Sequence, residues 1–311
     1  MANSPVSTKS ASASGSSGSE SVLRPRAYCS ESNPAETLAG TADQVDVWLC
    51  LEYRPAWKPK ALIDNALSAP TRFWISETLA ALQAIGLKAR PQFIRQPGTD
   101  TEDTRLLVSS GGRSFEFSGR GYDFLRELDL ADWIQAPEKL AVNGRELEAL
   151  QYLVCTNGQR DLCCARFGLP TYTALREQVG DRVWQVTHLG GHRFAPNVLT
   201  LPDGCLYGRV HADGATDFLA TVEAGQVDFG RLRGRTCYSP VVQAAEALLA
   251  RPGMRLLHVT GEDSRATVQF ADSTERRSIT LERSTTAIEV TKSCGDEAPA
   301  GIFPFEEISR D

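Results

Sequence analysis

The chain has 311 residues, enough for two domains with substantial hydrophobic cores. A hydrophobic share of 41%, a net charge of −6 at pH 7 and a pI near 5.4 are typical of a globular protein and argue against non-specific nucleic-acid binding. No apolar run approaches the roughly 20 residues that cross a bilayer, and the N-terminus lacks the apolar core of a secretory signal. Eight cysteines are too sparse for a disulfide scaffold. We therefore expect a cytoplasmic protein.

The first part of the chain predicts a tail followed by an α/β domain. Residues 1–26 are rich in Ser and Ala and lack apolar periodicity, so we expect them to be a disordered tail. Residues 27–142 predict, in order, a strand, a helix, a strand, a hairpin that turns at two glycines, and a helix: 44–53, 72–87, 88–96, 104–117 and 121–134. Pro91 interrupts the second strand and indicates a position near a sheet edge.

The second part of the chain, residues 143–252, predicts the element order of a thioredoxin-like layout. The expected elements are a strand that runs into Cys155, a helix after Pro170, a strand, a hairpin and two helices: 147–159, 170–180, 182–189, 197–210, 215–225 and 240–250. Residues 253–311 predict three antiparallel strands and then a polar tail. The expected fold class is therefore α/β, with a C-terminal antiparallel β extension.

Two of the four histidines, His188 and His192, flank a pair of glycines in VTHLGGHRFAPN. Their i, i+4 spacing occurs on zinc-binding helices. Gly190 and Gly191 argue against a helix here, because each costs roughly 1 kcal/mol relative to alanine in a helix interior. We therefore expect the two imidazoles to project from a tight loop between strands.

Cysteines in CTNGQRDLCCARFG supply a matching set of sulfur ligands. Adjacent residues usually point in different directions, so Cys163 and Cys164 are not expected to face one site together. Two thiolates from this loop and two imidazoles suit zinc or an iron–sulfur cluster, and they do not suit magnesium or calcium. The eight residues between Cys155 and Cys164 exceed zinc-finger spacing and favour a larger group such as a two-iron cluster. Zinc and unliganded core residues remain alternatives.

The remaining candidates have simpler interpretations. Arg193 is either a cation that tunes or docks beside the site, or a partner in a loop salt bridge. Five cysteines lack partners at metal-site spacing and are expected to be buried as small hydrophobic residues: Cys29, Cys50, Cys205, Cys237 and Cys294.

Three segments resemble the sucrase/ferredoxin-like family, which includes thioredoxin-like ferredoxins: AETLAGTADQVDVWLCLEY, CTNGQRDLCCARFG and VWQVTHLGGHRFAPNVLTLPDGCLYGRV. The resemblance implies a thioredoxin-like ferredoxin domain, preceded by a second α/β unit that is either thioredoxin-like or of another α/β fold. It also implies a [2Fe-2S] cluster held by two cysteines and two histidines. Carried onto this sequence, the ligands are Cys155, Cys164, His188 and His192, with Cys163 as an alternative to Cys164.

Such a ligand set would make the chain an electron carrier rather than an enzyme with its own substrate. Replacing two thiolates by neutral imidazoles removes two negative charges, which at an effective dielectric of about 20 raises the reduction potential by on the order of 0.3 V. Imidazole protons would also couple the potential to pH. No nucleotide-binding glycine motif is present, so we expect a flavin-type reductase as donor, with an unidentified acceptor. A zinc-stabilised structural or interaction module is the alternative, and a hydrolase is the least favoured function.

Overall fold

The computed structural model describes Met1, residues 28–99 and residues 101–311, so all of the predicted Ser/Ala-rich tail except Met1 lies outside the described residues. The α-helices within these ranges are α1 (Cys29–Ser32), α2 (Ala69–Ala84), α3 (Leu130–Gln135), α4 (Pro137–Asn143), α5 (Leu162–Val179), α6 (Ala215–Glu223) and α7 (Pro240–Leu249). The strands are β1 (Val47–Glu52), β2 (Ala89–Arg95), β3 (Asp103–Ser110), β4 (Arg113–Arg120), β5 (Arg145–Glu146), β6 (Gln151–Cys155), β7 (Val183–Val186), β8 (Val198–Leu201), β9 (Cys205–Tyr207), β10 (Leu232–Arg235), β11 (Arg255–Glu262), β12 (Arg265–Ala271), β13 (Arg276–Arg283), β14 (Ile288–Val290), β15 (Ala300–Ile302) and β16 (Phe305–Arg310).

One ten-stranded sheet runs through most of the molecule in the order β10-β9-β8-β6-β7-β2-β1-β3-β4-β5. Its strands β1, β6 and β7 are buried along their whole length, as expected for continuous apolar runs such as VWLCLE. Helices pack against both halves of this sheet. The fold class is therefore mixed α/β, as the sequence predicts.

The sheet consists of two halves with the same strand topology. In the first, β1 and β2 are parallel and the order is β2-β1-β3-β4; in the second, β6 and β7 are parallel and the order is β7-β6-β8-β9. The order of the second half is that of the thioredoxin-like layout expected from the sequence. The halves join where β2 and β7 pair antiparallel, with Ile94 opposite Val186. In the same row across the sheet, Glu52 is opposite Ile94 and Cys155 is opposite Val186.

The placement of Pro91 near a sheet edge is wrong, because β2 lies between β1 and β7 in the sheet interior. Pro91 is tolerated there because β7 pairs only with the last two residues of β2, Ile94 and Arg95. The missing N–H of Pro91 therefore breaks no ladder hydrogen bond.

The helix predicted over residues 121–134 is interrupted. A short 3₁₀ turn spans Asp123–Glu127, Leu128 is extended, and α3 begins after Asp129. The Asp129 carboxylate accepts a hydrogen bond from the N–H of Asp132 at 3.2 Å and so caps a new helix. The local cap prevails over the apolar periodicity.

The helix expected after Pro170 begins eight residues earlier, at Leu162, and Pro170 lies inside it. Asp161 is the N-cap, and its carboxylate accepts from the N–H of Cys163 at 2.9 Å. Cys163 and Cys164 therefore lie in the first turn of α5 and not in a loop, which corrects the sequence prediction.

The C-terminal region also departs in part from the sequence prediction. Strands β11, β12 and β13 form the expected antiparallel sheet, which packs on α7. The predicted polar tail is wrong, because β16 pairs with β13 and β14 pairs with β15. Within the described ranges, no helix combines the length and apolar character needed to traverse a bilayer.

Helix α5 approaches the end of β6 at Gly168. A Cβ atom on Gly168 would lie 2.2 Å from the carbonyl oxygen of Cys155, so the absence of a side chain sets the distance between helix and strand. Glycine in a helix otherwise destabilises it by roughly 1 kcal/mol relative to alanine.

We predict that Gly168→Ala destabilises the protein by about 1–3 kcal/mol through overpacking, despite the better helix propensity of alanine. The free energy of unfolding, from urea denaturation followed by circular dichroism, measures this effect. Glu177→Ala on the exposed side of the same helix is the control and should change it by less than about 0.5 kcal/mol. A Gly168→Ala protein as stable as the wild type would contradict the close packing.

Candidate metal centre

The sulfur ligands expected from the sequence come from the junction of β6 and α5. Cys155 is the last residue of β6, and Cys164 lies in the first turn of α5. Both are buried, with exposed fractions of 1% and 0%. The close approach at Gly168 brings the helix start over the strand end.

The histidines lie in the loop between β7 and β8, as expected. Gly190 and Gly191 adopt φ values of +85° and +67°, a left-handed conformation that side chains disfavour. The chain reverses direction at these glycines, after His188, and a short 3₁₀ turn begins at His192. The two imidazole rings stack at a centroid distance of 4.6 Å with an interplanar angle of 23°.

The structure brings all four predicted residues together. The Sγ atoms of Cys155 and Cys164 and a ring nitrogen of His188 lie within 4.8 Å of one another. His192 Nδ1 is 4.0 Å from Cys164 Sγ. Two thiols and two imidazoles thus meet at one place, and their role as ligands remains a prediction.

The electrostatics of the thiols favour one shared proton. The Cys164 thiol hydrogen-bonds to Cys155, and this bond, with help from His188, lowers the pKa of Cys155 well below its usual range against the effect of burial. The same bond and burial raise the pKa of Cys164. One sulfur is therefore poised as a thiolate, the form that binds metals.

The imidazoles are half-buried, and that of His192 is suited to binding as a neutral ligand. Burial, followed by the charge of His188, lowers the pKa of His192 and favours its neutral form. His188 Nδ1 is buried without a hydrogen-bond partner among the described residues. Because buried polar atoms are almost always satisfied, this orphaned nitrogen fits a coordination bond to a metal.

Arg233 holds the histidine loop and was not identified from the sequence. Its buried guanidinium donates to the carbonyl of Gly190 at 2.8 Å, to Asn197 Oδ1 at 2.9 Å and to the carbonyl of Thr41 at 2.6 Å. Burial lowers the pKa of Arg233 to about 9. Arg233 lies on β10, an irregular strand that the sequence analysis did not predict. No sequence pattern therefore indicated its role.

The N-terminal half also positions His188. Gln92 Oε1 accepts from the backbone N–H of His188 at 3.1 Å, and Arg90 donates to the carbonyl of His188 at 3.0 Å. Both residues lie on β2, so the first half of the sheet fixes the backbone of the second half at His188.

Of the two interpretations of Arg193, the structure supports the salt bridge. Its Nε lies 2.9 Å from the carboxylate of Glu36, which is buried. The guanidinium is thereby committed to fixing the N-terminal segment against the histidine loop.

Cys163 points away from Cys155 and lies 3.5 Å from Cys29 Sγ and 3.2 Å from Cys294 Sγ. Cys29 is buried as predicted, but Cys29 and Cys294 are not isolated thiols, because both lie close to Cys163. Sequence spacing could not show this grouping, because the three residues come from distant parts of the chain. Cys50 and Cys205 are also buried as predicted, whereas Cys237 is exposed and Cys294 is partly exposed.

The chain is similar to one solved structure and to one protein family. A solved structure that shows similarity is a thioredoxin-like [2Fe-2S] ferredoxin from Aquifex aeolicus, 18% identical, with 28% of this chain and 91% of that chain covered and a TM-score of 0.25. No inference rests on a likeness of this size. No protein with a curated description matches. The sequence profile of the sucrase/ferredoxin-like family matches residues 38–234, which is more than half of the chain. The chain belongs to the sucrase/ferredoxin-like family.

Proposed function

We propose that the protein is an electron carrier that binds a [2Fe-2S] cluster through Cys155, Cys164, His188 and His192. The observation that carries this proposal is the meeting of two buried thiols with two stacked, half-buried imidazoles at one place. Membership of a ferredoxin-like family supports the same chemistry.

The donor set fits a cluster of this kind. Sulfur and imidazole together are ligands for iron–sulfur centres of the mixed type, which have higher potentials than all-cysteine centres. When bound, such a cluster accepts and releases one electron. The two thiols are buried, whereas the imidazoles are only half-buried, so an electron would leave through the imidazole side.

A partner surface adjoins the imidazole side. A cavity of about 380 Å³ beside His188 is lined by apolar Leu62 and Ile63 and by the cations Lys60 and Arg160. Ile63 is 73% exposed. We propose that an acidic face of a flavin-type reductase docks here, because the cations would steer it and the apolar residues would exclude water.

One observation favours the alternative, a zinc-stabilised structural or interaction module. The donor atoms of Cys155, Cys164 and His188, within 4.8 Å of one another, are compact enough for a single tetrahedral ion. Such an ion would have no redox activity. Metal analysis separates the two functions.

We predict that the protein, purified under anaerobic reducing conditions, is red-brown and contains about two irons and two inorganic sulfides per chain. Cys155→Ala should abolish both, while Cys50→Ala, a buried thiol outside the site, should retain them. A colourless protein whose metal at these residues is zinc would contradict electron transfer and support the module.

We predict that His188→Cys and His192→Cys each retain the cluster and lower its midpoint potential by on the order of 0.15 V. Each exchange adds about one negative charge close to the electron that is accepted. Spectroelectrochemical titration measures the shift, with His258→Cys on an exposed strand as the control. An unchanged potential in both variants would show that neither histidine is a ligand.

We predict that the midpoint potential falls with rising pH over part of the alkaline range. Reduction adds negative charge and raises the pKa of a coordinated imidazole, so the reduced protein binds more protons than the oxidised protein. The slope between the two pKa values approaches about 59 mV per pH unit for one proton and one electron. Potentials measured from neutral to strongly alkaline pH that stay constant would refute this coupling.

A further inference from the structure

Three thiols converge at the start of α5, in a group separate from Cys155 and Cys164. Cys29 Sγ lies 3.5 Å from Cys163 Sγ and 3.7 Å from Cys294 Sγ, and Cys163 Sγ lies 3.2 Å from Cys294 Sγ. We call these three residues the tri-thiol cluster. Cys29 and Cys163 are buried, and Cys294 is partly exposed.

A carboxylate faces the same point. An oxygen of Asp161 lies within 4.8 Å of all three sulfurs, with Oδ1 3.9 Å from Cys29 Sγ. Its other oxygen accepts from the N–H of Cys294 at 2.9 Å and from Ser293 Oγ at 2.8 Å. The carboxylate is thus held in place by the segment that supplies Cys294.

Hydrogen bonds and the N-terminus of α5 stabilise the Asp161 carboxylate. It is 5% exposed and forms no ion pair within residues 28–99 and 101–311. A cation bound among the three sulfurs would give this buried carboxylate the opposite charge that no described side chain supplies.

The sulfur spacing matches one metal ion. Two thiolates bound at about 2.3 Å to a tetrahedral ion lie about 3.8 Å apart, close to the observed 3.2–3.7 Å. A disulfide would require about 2.05 Å and would leave one thiol without a partner. Thiolates on different irons of a cluster would lie farther apart.

We propose that Cys29, Cys163, Cys294 and Asp161 bind a single Zn²⁺ ion, separate from the centre formed by Cys155 and the histidines. Three sulfurs and one carboxylate complete a tetrahedral shell, which is the closed arrangement of structural zinc sites. The ion ties three distant parts of the chain together: the N-terminal segment, the start of α5 and the C-terminal segment.

The surroundings of Cys163 favour the thiolate that such a site needs. The Ser30 hydroxyl donates to Cys163 Sγ at 3.3 Å. The helix N-terminus at α5 also favours negative charge at this position.

The test is zinc content and affinity of the full-length protein under reducing conditions, measured by elemental analysis and by titration of Zn²⁺ against a chromophoric chelator. We expect Cys294→Ser to lose about one equivalent of zinc relative to wild type. Cys237→Ser, an exposed thiol outside both groups, should lose none. Asp161→Asn keeps the helix cap but removes the charge, and should weaken zinc binding by about tenfold or more.

Two further measurements separate this proposal from the iron–sulfur proposal and from misfolding. Cys155→Ala should lose iron and keep this zinc. In the wild-type chain, Zn²⁺ should protect Cys294 from alkylation, as read by mass spectrometry of its peptide. Equal zinc in wild type and Cys294→Ser, a disulfide within the tri-thiol cluster, or loss of all zinc with Cys155→Ala would overturn the assignment.

Discussion

The arrangement of both sulfur groups depends on one helix cap. The Asp161 carboxylate accepts from the N–H of Cys163 and so begins α5 at Leu162. Because successive residues of an α-helix are rotated by about 100°, this start sends Cys163 and Cys164 to different sides. Cys164 meets Cys155 and the imidazoles, while Cys163 meets Cys29 and Cys294. Displacing the helix start by one residue would withdraw sulfur from both groups at once.

The imidazole side is held by buried polar contacts from outside the loop itself. Arg233 fixes the carbonyl of Gly190, and Gln92 fixes the N–H of His188. Arg193 forms a salt bridge with Glu36. A loop with two left-handed glycines has high conformational freedom when unfolded, so these contacts must offset its ordering entropy. They also leave the two imidazoles half-buried.

Local patterns predicted most of the elements, and the four candidate ligands, which the structure brings together, were identified from their motifs and from the family resemblance. Periodicity found the hairpin at Gly111–Gly112 and the helix α6, since both signals are contained within a few residues. It missed the start of α5, because the expectation relied on Pro170 as a boundary and overlooked the Asp161 cap. The tri-thiol cluster could not be predicted from the sequence, because Cys29 and Cys294 are brought together only by tertiary packing. The same holds for Arg233, which contacts the loop across the sheet.

The row Glu52, Ile94, Val186 and Cys155 runs across the junction of the two like halves. Glu52 therefore occupies in the first half the place that Cys155 occupies in the second, and it is buried between Arg54 and Arg105. The second half carries a thiol at this place, and the first half carries an ion pair. The first half of the sheet also covers one side of the second half near Cys155, where the carbonyl of Lys58 accepts a hydrogen bond from the Asn157 side chain. A chain cut between the halves would leave Cys155 and its neighbours open to water and oxygen on that side.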